Sequence, residues 1–127
     1  MKKDDELIIV HVYQPPVLPG LSISASPGNL LTGSYFSEIE NTVDKAKTLL
    51  LKFKKLAEEN DIVPMLILRA TEGNIGQTIC SIASELKPSM IIVGSRGLGA
   101  VSRFLLGSVS DYVLHHAEST ICIVPHP

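Results

Sequence analysis

The order of apolar segments along the chain constrains its fold more strongly than any single motif does. Four short runs rich in Ile, Val and Leu alternate with three longer stretches in which apolar residues recur every three or four positions. Short apolar runs predict strands, whereas a spacing of three or four predicts amphipathic helices. The strands are predicted at Leu7 to Val12, Ile62 to Leu68, Met90 to Val93 and Thr120 to Val124, and the helices at about 35–60, 75–86 and 108–117.

This alternation predicts an α/β fold in which helices cover both faces of a parallel sheet, with four strands and three helices in this chain. The strands are almost wholly apolar, as is typical of strands buried between two helical layers. Because 127 residues is the length of one domain, we expect a single domain over residues 1–127. Pro64 predicts that the second strand lies at an edge or begins near it, and the Pro- and Gly-rich residues 14–34 predict a long loop.

Local signals predict where the helices begin. A Ser, Thr, Asn or Asp three residues before a Glu, Gln or Asp is typical of a helix cap, because each side chain accepts a backbone N–H of the other residue. Such pairs lie at or near the start of all three predicted helices. They are Ser37 with Glu40, Asn74 with Gln77 and Ser108 with Asp111, and Ser34 is a second candidate cap for the first helix.

Composition disfavours several classes of function. The net charge is −2 and the pI is about 6.0, whereas nucleic-acid-binding domains usually carry a basic surplus. No run approaches the roughly 18 apolar residues that cross a membrane, and the N-terminal MKKDDELIIVHV lacks the pattern of a signal peptide. We therefore expect a cytoplasmic protein that binds neither nucleic acid nor membrane, with Cys80 and Cys122 as buried free thiols.

A glycine-rich segment, GSRGLGAVSRFLLGS, follows the third predicted strand directly and spans Gly94 to Ser108. In parallel α/β sheets, ligands bind beyond the carboxyl ends of the strands, and the N–H groups at a helix start favour an anion. Glycine lets a phosphate approach the backbone closely, while Arg96 and Arg103 add positive charge. On spacing alone, the segment is either a phosphate-binding loop or a flexible connection whose Ser108 and Asp111 only cap a helix.

The spacing of the glycines carries a more specific resemblance. Gly94, two residues, Gly97, nine residues and then Gly107-Ser108 resembles the G-x2-G-x9-G-(S/T) motif of the universal stress protein family. The segments LIIVHVYQP, MIIVGSRG and ICIVP resemble the second, fourth and fifth strands of that family, in the same order. The resemblance extends over nearly the whole chain apart from residues 14–34.

The resemblance implies an adenine nucleotide α-hydrolase-like (Rossmann-like) fold that binds ATP, with Mg²⁺ as a possible companion ion. It also implies a homodimer that forms through the last strand, Thr120 to Val124. Arg96 joins the implied site on account of its charge. The implied phosphate or ribose contacts are Gly94, Gly97, Gly107 and Ser108, with Val93 and Val109 as their neighbours and Val12 near the adenine.

One family feature is missing from this sequence. Family members usually begin with a further strand that ends in V-D-x-S, whose Asp contacts the nucleotide, and no such segment occurs here. In the family that strand is central, so its loss opens the sheet. Either the neighbouring strands pair directly, or a partner chain fills the gap, or the chain is a truncated form of reduced stability. We expect direct pairing, which would give one four-stranded sheet.

Three functional hypotheses follow. The first is a nucleotide-binding regulatory protein in the stress response, in which ATP acts as a ligand or is slowly hydrolysed. The second is an interaction or scaffold protein of the same fold that binds no nucleotide, because the adenine side of the site is incomplete. The third, a catalytic ATP-using transferase, requires a second substrate site that the sequence does not show.

Overall fold

The computed structural model describes residues 2–16, 33–95 and 106–125. Four strands and three helices alternate along this part of the chain, which confirms the predicted α/β class. The chain divides into two compact units, Met1–Thr71 and Glu72–Pro127. The elements are β1 (Ile8–Tyr13), α1 (Gly33–Glu58) and β2 (Met65–Ala70) in the first unit, and α2 (Ile75–Leu86), β3 (Met90–Gly94), α3 (Ser108–His116) and β4 (Thr120–Val124) in the second.

The strands form two parallel pairs. β1 pairs with β2 in the register Ile8 opposite Met65, and β3 pairs with β4 in the register Met90 opposite Thr120. The expected single sheet, formed by direct pairing of the first and third strands, is therefore wrong, since the described strands form two two-stranded sheets. Apolar composition predicts that a strand is buried, but the hydrogen bonds that choose its neighbour come from residues distant in sequence.

In the first unit, the long helix α1 packs against both strands. Its buried residues Ala46, Leu50 and Ala57 lie four and seven positions apart and therefore share one face of the helix. Two of the three are alanines, which let the helix lie close to the sheet. Val12 of β1, only 8% exposed, completes this core.

The ends of α1 differ from the sequence prediction. The helix begins at Gly33, so Ser37 lies about one turn inside it and is not its cap, and Ser34 is also a helical residue. At the other end, Asp61 adopts a left-handed conformation with φ of 60°, and the N–H of Ile62 donates to the carbonyl of Ala57. β2 then begins at Met65, directly after the buried Pro64, because proline has no N–H to donate to a strand ladder.

In the second unit, α2 and α3 pack against each other. The contact is close at Gly76, where an added Cβ would lie 2.7 Å from the ring of Tyr112. Ile82 and Val113 are almost fully buried. The hydroxyl of the buried Thr78 accepts the N–H of Glu72 at 2.8 Å and also lies 3.0 Å from the carbonyl oxygen of Asn74.

The β3–β4 sheet buries its two faces unequally. Ile91, Val93, Ile121 and Ile123 are half-buried, whereas the alternate residues are exposed, including Ile92 at 63%. Cys122 shares the exposed face, so its predicted burial is wrong, and Cys80 in α2 is half-buried. Partial burial raises the pKa of the Cys80 thiol.

Candidate functional site

The structure places most of the predicted site residues in the second unit. Gly94 ends β3, Gly107 precedes α3, and Ser108 and Val109 are the first two residues of that helix. Val93 lies next to Gly94, opposite Ile123 of β4. Arg96 and Gly97 lie outside the described residues, and Val12 lies in the first unit, where its role near an adenine stays a prediction.

The topology predicts that Gly94 and Ser108 lie at the same edge of the β3–β4 sheet. Because β3 and β4 are parallel and α3 lies between them in sequence, α3 must run back from the carboxyl edge to the amino edge. Its nine residues span about 13 Å, which is close to the length of a five-residue strand. The N-terminus of α3 therefore lies at the edge where ligands of parallel α/β sheets bind.

The described structure around position 94 does not require a glycine there. Its φ is not in the left-handed region, and no described atom lies within 4 Å of a Cβ built at this position. Neither backbone conformation nor packing among the described residues therefore requires glycine here. Close approach of a ligand to the backbone is one reason for a glycine at the end of a strand.

The start of α3 distinguishes between the two alternatives for Ser108. The N-cap residue is Gly107, which has no side chain and makes no capping bond, whereas Ser108 is already helical and exposed. Ser108 and Asp111 therefore do not form a capping box. The first backbone bond of the helix runs from the N–H of Asp111 to the carbonyl of Gly107, so the N–H groups of the preceding three residues have no acceptor within the helix.

The side chains of Ser110 and Asp111 make their contacts elsewhere and do not accept hydrogen bonds from those N–H groups. The Ser110 hydroxyl donates to the carbonyl of Gly107 at 3.0 Å and is therefore directed away from them. One carboxylate oxygen of Asp111 lies 3.5 Å from Nδ1 of His115, one turn further along the helix. The positive end of the helix dipole and these N–H groups, which have no acceptor within the helix, together favour an anion at Ser108.

The two histidines at the C-terminal end of α3 make local contacts within the helix. Nδ1 of His115 lies 2.8 Å from the carbonyl oxygen of Asp111, and Nδ1 of His116 lies 2.8 Å from that of Tyr112. The His116 ring also stacks on Tyr112, with centroids 3.9 Å apart. These contacts suit histidines in the last turn of a helix, where a ring N–H can donate to a carbonyl oxygen. Within residues 2–16, 33–95 and 106–125, no group of three or more His, Cys, Asp or Glu side chains could hold a metal ion.

Sequence reasoning identified Gly107 as a motif residue but did not recognise it as the helix cap. The available signal was the glycine directly before Ser108, since a glycine at the N-cap leaves the helix start without a side-chain acceptor. Ser95 was also not singled out. Its N–H donates to the carbonyl of Val124 at 2.9 Å and extends the β3–β4 pairing by one residue beyond Gly94.

Comparison with known protein families identifies the family of this chain. The model of the universal stress protein family matches residues 1–125, so the chain belongs to the universal stress protein family. Universal stress protein Slr1101 of Synechocystis is 44% identical over 55 residues, which are 43% of this chain and 51% of that protein. Universal stress protein MJ0531 of Methanocaldococcus jannaschii is 26% identical over 98% of this chain and 69% of its own length. This chain thus matches about half the length of the Synechocystis relative.

Solved structures share the fold. A universal stress protein family protein from Arabidopsis thaliana, solved with AMP bound, superposes with a TM-score of 0.63 at 25% identity, over 96% of this chain and 65% of that one. Hypothetical protein MJ0577 superposes with a TM-score of 0.70 at 22% identity, over all of this chain and 80% of that one.

Among the described residues, no helix is long and apolar enough to span a membrane.

Proposed function

We propose that this chain is a regulatory protein that binds an adenine nucleotide, ATP with Mg²⁺ in particular, at the carboxyl edge of the β3–β4 sheet. The observation that carries the proposal is the start of α3, where Gly107 provides no capping side chain and three N–H groups lack an intrahelical acceptor. The AMP bound to the Arabidopsis family member supports an adenine nucleotide as the ligand.

Each residue of the proposed site has a defined task. The N–H groups of Ser108 and Val109 donate to phosphate oxygens, and the exposed hydroxyl of Ser108 adds a further donor. Gly94 leaves space for the nucleotide against the backbone. Arg96 and Gly97 belong to the connecting segment and supply charge and backbone freedom in the prediction from sequence. The bound nucleotide biases conformation or partner choice.

Replacing Gly107 by Asp gives the sharpest test, because it has opposite effects on stability and on binding. An aspartate cap accepts N–H groups at the start of α3 and, through capping together with the attraction of its charge to the helix dipole, stabilises the helix by up to about 1 kcal/mol. The same carboxylate repels phosphate, so we expect the affinity for ATP with Mg²⁺ to fall by about a hundredfold or more. Thermal unfolding measures the first effect, and calorimetric titration measures the second.

Gly107→Asn is the matched control, since it occupies the same N–H groups without a negative charge. We expect it to weaken ATP binding less than Gly107→Asp does. The wild-type protein must release heat on titration with ATP. No binding up to millimolar nucleotide, or equal binding by wild type and Gly107→Asp, would rule out the proposed site.

A second candidate function is an interaction protein that binds no nucleotide. The exposed apolar face of the β3–β4 sheet favours it, because exposed apolar patches commonly mark protein–protein contacts. Recovery of bound ATP from the purified protein would count against this candidate. Purified protein without nucleotide, combined with no response to ATP in the titration, would favour it over the first.

The homodimer through Thr120 to Val124 also remains a proposal. In the β3–β4 register, the backbone groups of Ile121 and Ile123 point away from β3 and are available to a second copy. Antiparallel pairing of two copies about Cys122 brings the two exposed Cys122 thiols opposite each other. We therefore expect a dimer mass by light scattering and a disulfide-linked dimer on mild oxidation. Cys122→Ser should remain a dimer but lose the cross-link, and a monomer at all concentrations would contradict this.

A further inference from the structure

The peptide unit that joins Gly107 to Ser108 carries the first N–H group of α3, which has no acceptor within the helix. The carbonyl oxygen of this unit accepts two hydrogen bonds, from the N–H of Asp111 at 2.9 Å and from the hydroxyl of Ser110 at 3.0 Å. Both donors lie within the first turn of the helix. The carbonyl of Gly107 therefore points into the helix, toward its C-terminal end.

The geometry of the peptide bond links this carbonyl to the N–H of Ser108. A trans peptide is planar, with its C=O and N–H bonds pointing in opposite directions, and no cis peptide bond occurs in the described ranges. Because the carbonyl of Gly107 points into the helix, the N–H of Ser108 points out of its N-terminal end. The groups that hold the carbonyl thus also direct the N–H toward the proposed position of the phosphate.

Gly107 itself does little to fix the orientation of this peptide unit. It adopts φ of −64° and ψ of 159°, and without a Cβ it rotates more freely about its backbone bonds than other residues do. Rotation about ψ turns the carbonyl and the attached N–H together. The hydroxyl of Ser110 adds a second bond to the carbonyl and so restricts a rotation that Gly107 would otherwise allow.

The burial of Ser110 shows that its hydroxyl is not there for contact with water. Ser110 is only 2% exposed, and among the described residues Thr78 is the other buried polar side chain. A buried hydroxyl costs free energy unless it is hydrogen-bonded, and alanine is a better helix former of nearly the same size. Packing alone would therefore accept alanine at this position. What the hydroxyl adds is its bond to Gly107.

Thr78 provides a comparison at the start of α2. Its hydroxyl lies 3.0 Å from the carbonyl oxygen of the N-cap residue Asn74, and it also accepts the N–H of Glu72. In α2, however, the side chain of Asn74 already accepts the N–H of Gln77. Thr78 therefore stabilises a helix start that is closed by its own cap, whereas Ser110 orients a start that no described side chain caps.

We propose that Ser110 is a positioning residue for nucleotide binding, whose hydroxyl holds the Gly107 peptide unit so that the N–H of Ser108 faces a phosphate oxygen. This inference rests on the proposed function, because it assigns a role at the same site. Ser110 does not use its own hydroxyl on the nucleotide. Its removal weakens binding through Ser108 and spares the N–H of Val109, which belongs to the next peptide unit.

Calorimetric titration and amide NMR of Ser110→Ala test the proposal. We expect the affinity for ATP with Mg²⁺ to fall by about fivefold, which corresponds to one ordinary hydrogen bond. ATP should shift the amide signals of Ser108 and Val109 in the wild-type protein. In Ser110→Ala we expect the shift of Ser108 to shrink, whereas the shift of Val109 at saturating ATP changes little. A general loss of stability would not distinguish these two neighbouring amides.

Two further variants complete the test. Ser110→Thr keeps the hydroxyl and should restore most of the affinity and the shift of Ser108. Thr78→Val is the matched control, because it removes the other buried hydroxyl with little change in volume. It should lower the midpoint of urea denaturation but leave the ATP affinity within about twofold of wild type. If Ser110→Thr does not fold, the comparison of Ser108 with Val109 in Ser110→Ala decides by itself.

The outcomes separate this inference from the proposed function. No ATP binding by the wild-type protein overturns both. ATP binding by the wild-type protein together with equal affinity and equal amide shifts in Ser110→Ala overturns the positioning role alone. Equal shrinkage of the Ser108 and Val109 shifts, or a loss of affinity in Thr78→Val as large as that in Ser110→Ala, also overturns it, because Ser110 would then only support the helices.

Discussion

The two helices of the second unit begin in opposite ways. α2 begins with a complete capping box, in which Oδ1 of Asn74 accepts the N–H of Gln77 at 2.8 Å and Oε1 of Gln77 accepts the N–H of Asn74 at 3.0 Å. α3 begins with Gly107, which offers no side chain. Both helices are preceded by a plausible capping sequence, yet only α2 uses it. The difference teaches that side chains satisfy the start of α2, whereas no described side chain caps the start of α3.

The largest expected effect is at Gly76, which packs closely against Tyr112 in the first turn of α2. Gly76→Val should lower the free energy of unfolding by about 3 kcal/mol, because its side chain collides with the Tyr112 ring. Gly94→Val is the matched control, since no described atom lies near that position and strands favour β-branched residues. Urea denaturation measures both. Equal losses would show that Gly94 is also a packing glycine.

The next effect is at the capping residues. Asn74→Ala removes the cap of α2 and should lower the free energy of unfolding by about 1 kcal/mol. Ser108→Ala should cost less than about 0.5 kcal/mol, because Ser108 is exposed and does not cap α3. If thermal unfolding shows equal costs, the distinction between the two helix starts is lost.

The C-terminal ends of the two helices extend the comparison. Lys87 after α2 is left-handed, with φ of 48° and ψ of 59°, a conformation that glycine adopts without strain. Lys87→Gly should therefore raise the free energy of unfolding by up to about 1 kcal/mol. Ala117 after α3 is extended, with φ of −79°, so Ala117→Gly should lower stability instead. The same sign for both variants in chemical denaturation would refute this reasoning.

The smallest expected effect on stability is at Gly107. Gly107→Asn gives α3 a side-chain cap and should raise the free energy of unfolding by only about 0.3 kcal/mol, because glycine is already tolerated at an N-cap. Differential scanning calorimetry can resolve a change of this size when the variant and the wild type are compared side by side. A loss of stability would mean that an unseen group already occupies the N–H groups of α3.

Local patterns predicted the elements well. The alternation of apolar runs located all four strands and all three helices to within a few residues, and the Asn74 cap was predicted with its partner Gln77. These features depend on residues that are near in sequence. The candidate site was predicted in the same way, because Gly94, Gly107 and Ser108 follow from motif spacing and from their place after a strand.

Errors arose where distant residues decide the outcome. Ser37 has the capping spacing, but α1 begins a turn earlier at Gly33. Cys122 lies in an apolar run, yet the alternation of β4 directs it to the exposed face of the sheet. The single four-stranded sheet was not found, because each of β1 and β3 pairs with a different strand.

The sequence by itself determined the α/β class, the order of the elements and the glycine motif after β3, since periodicity and spacing are properties of neighbouring residues. The tertiary structure decided that Gly107 gives α3 no side-chain cap, that Gly76 is held against Tyr112 and that Ile92 lies on the exposed face of β3. These outcomes depend on backbone geometry and on contacts between elements that are distant in sequence. Spacing along the chain can propose such contacts, but only packing in three dimensions selects among them.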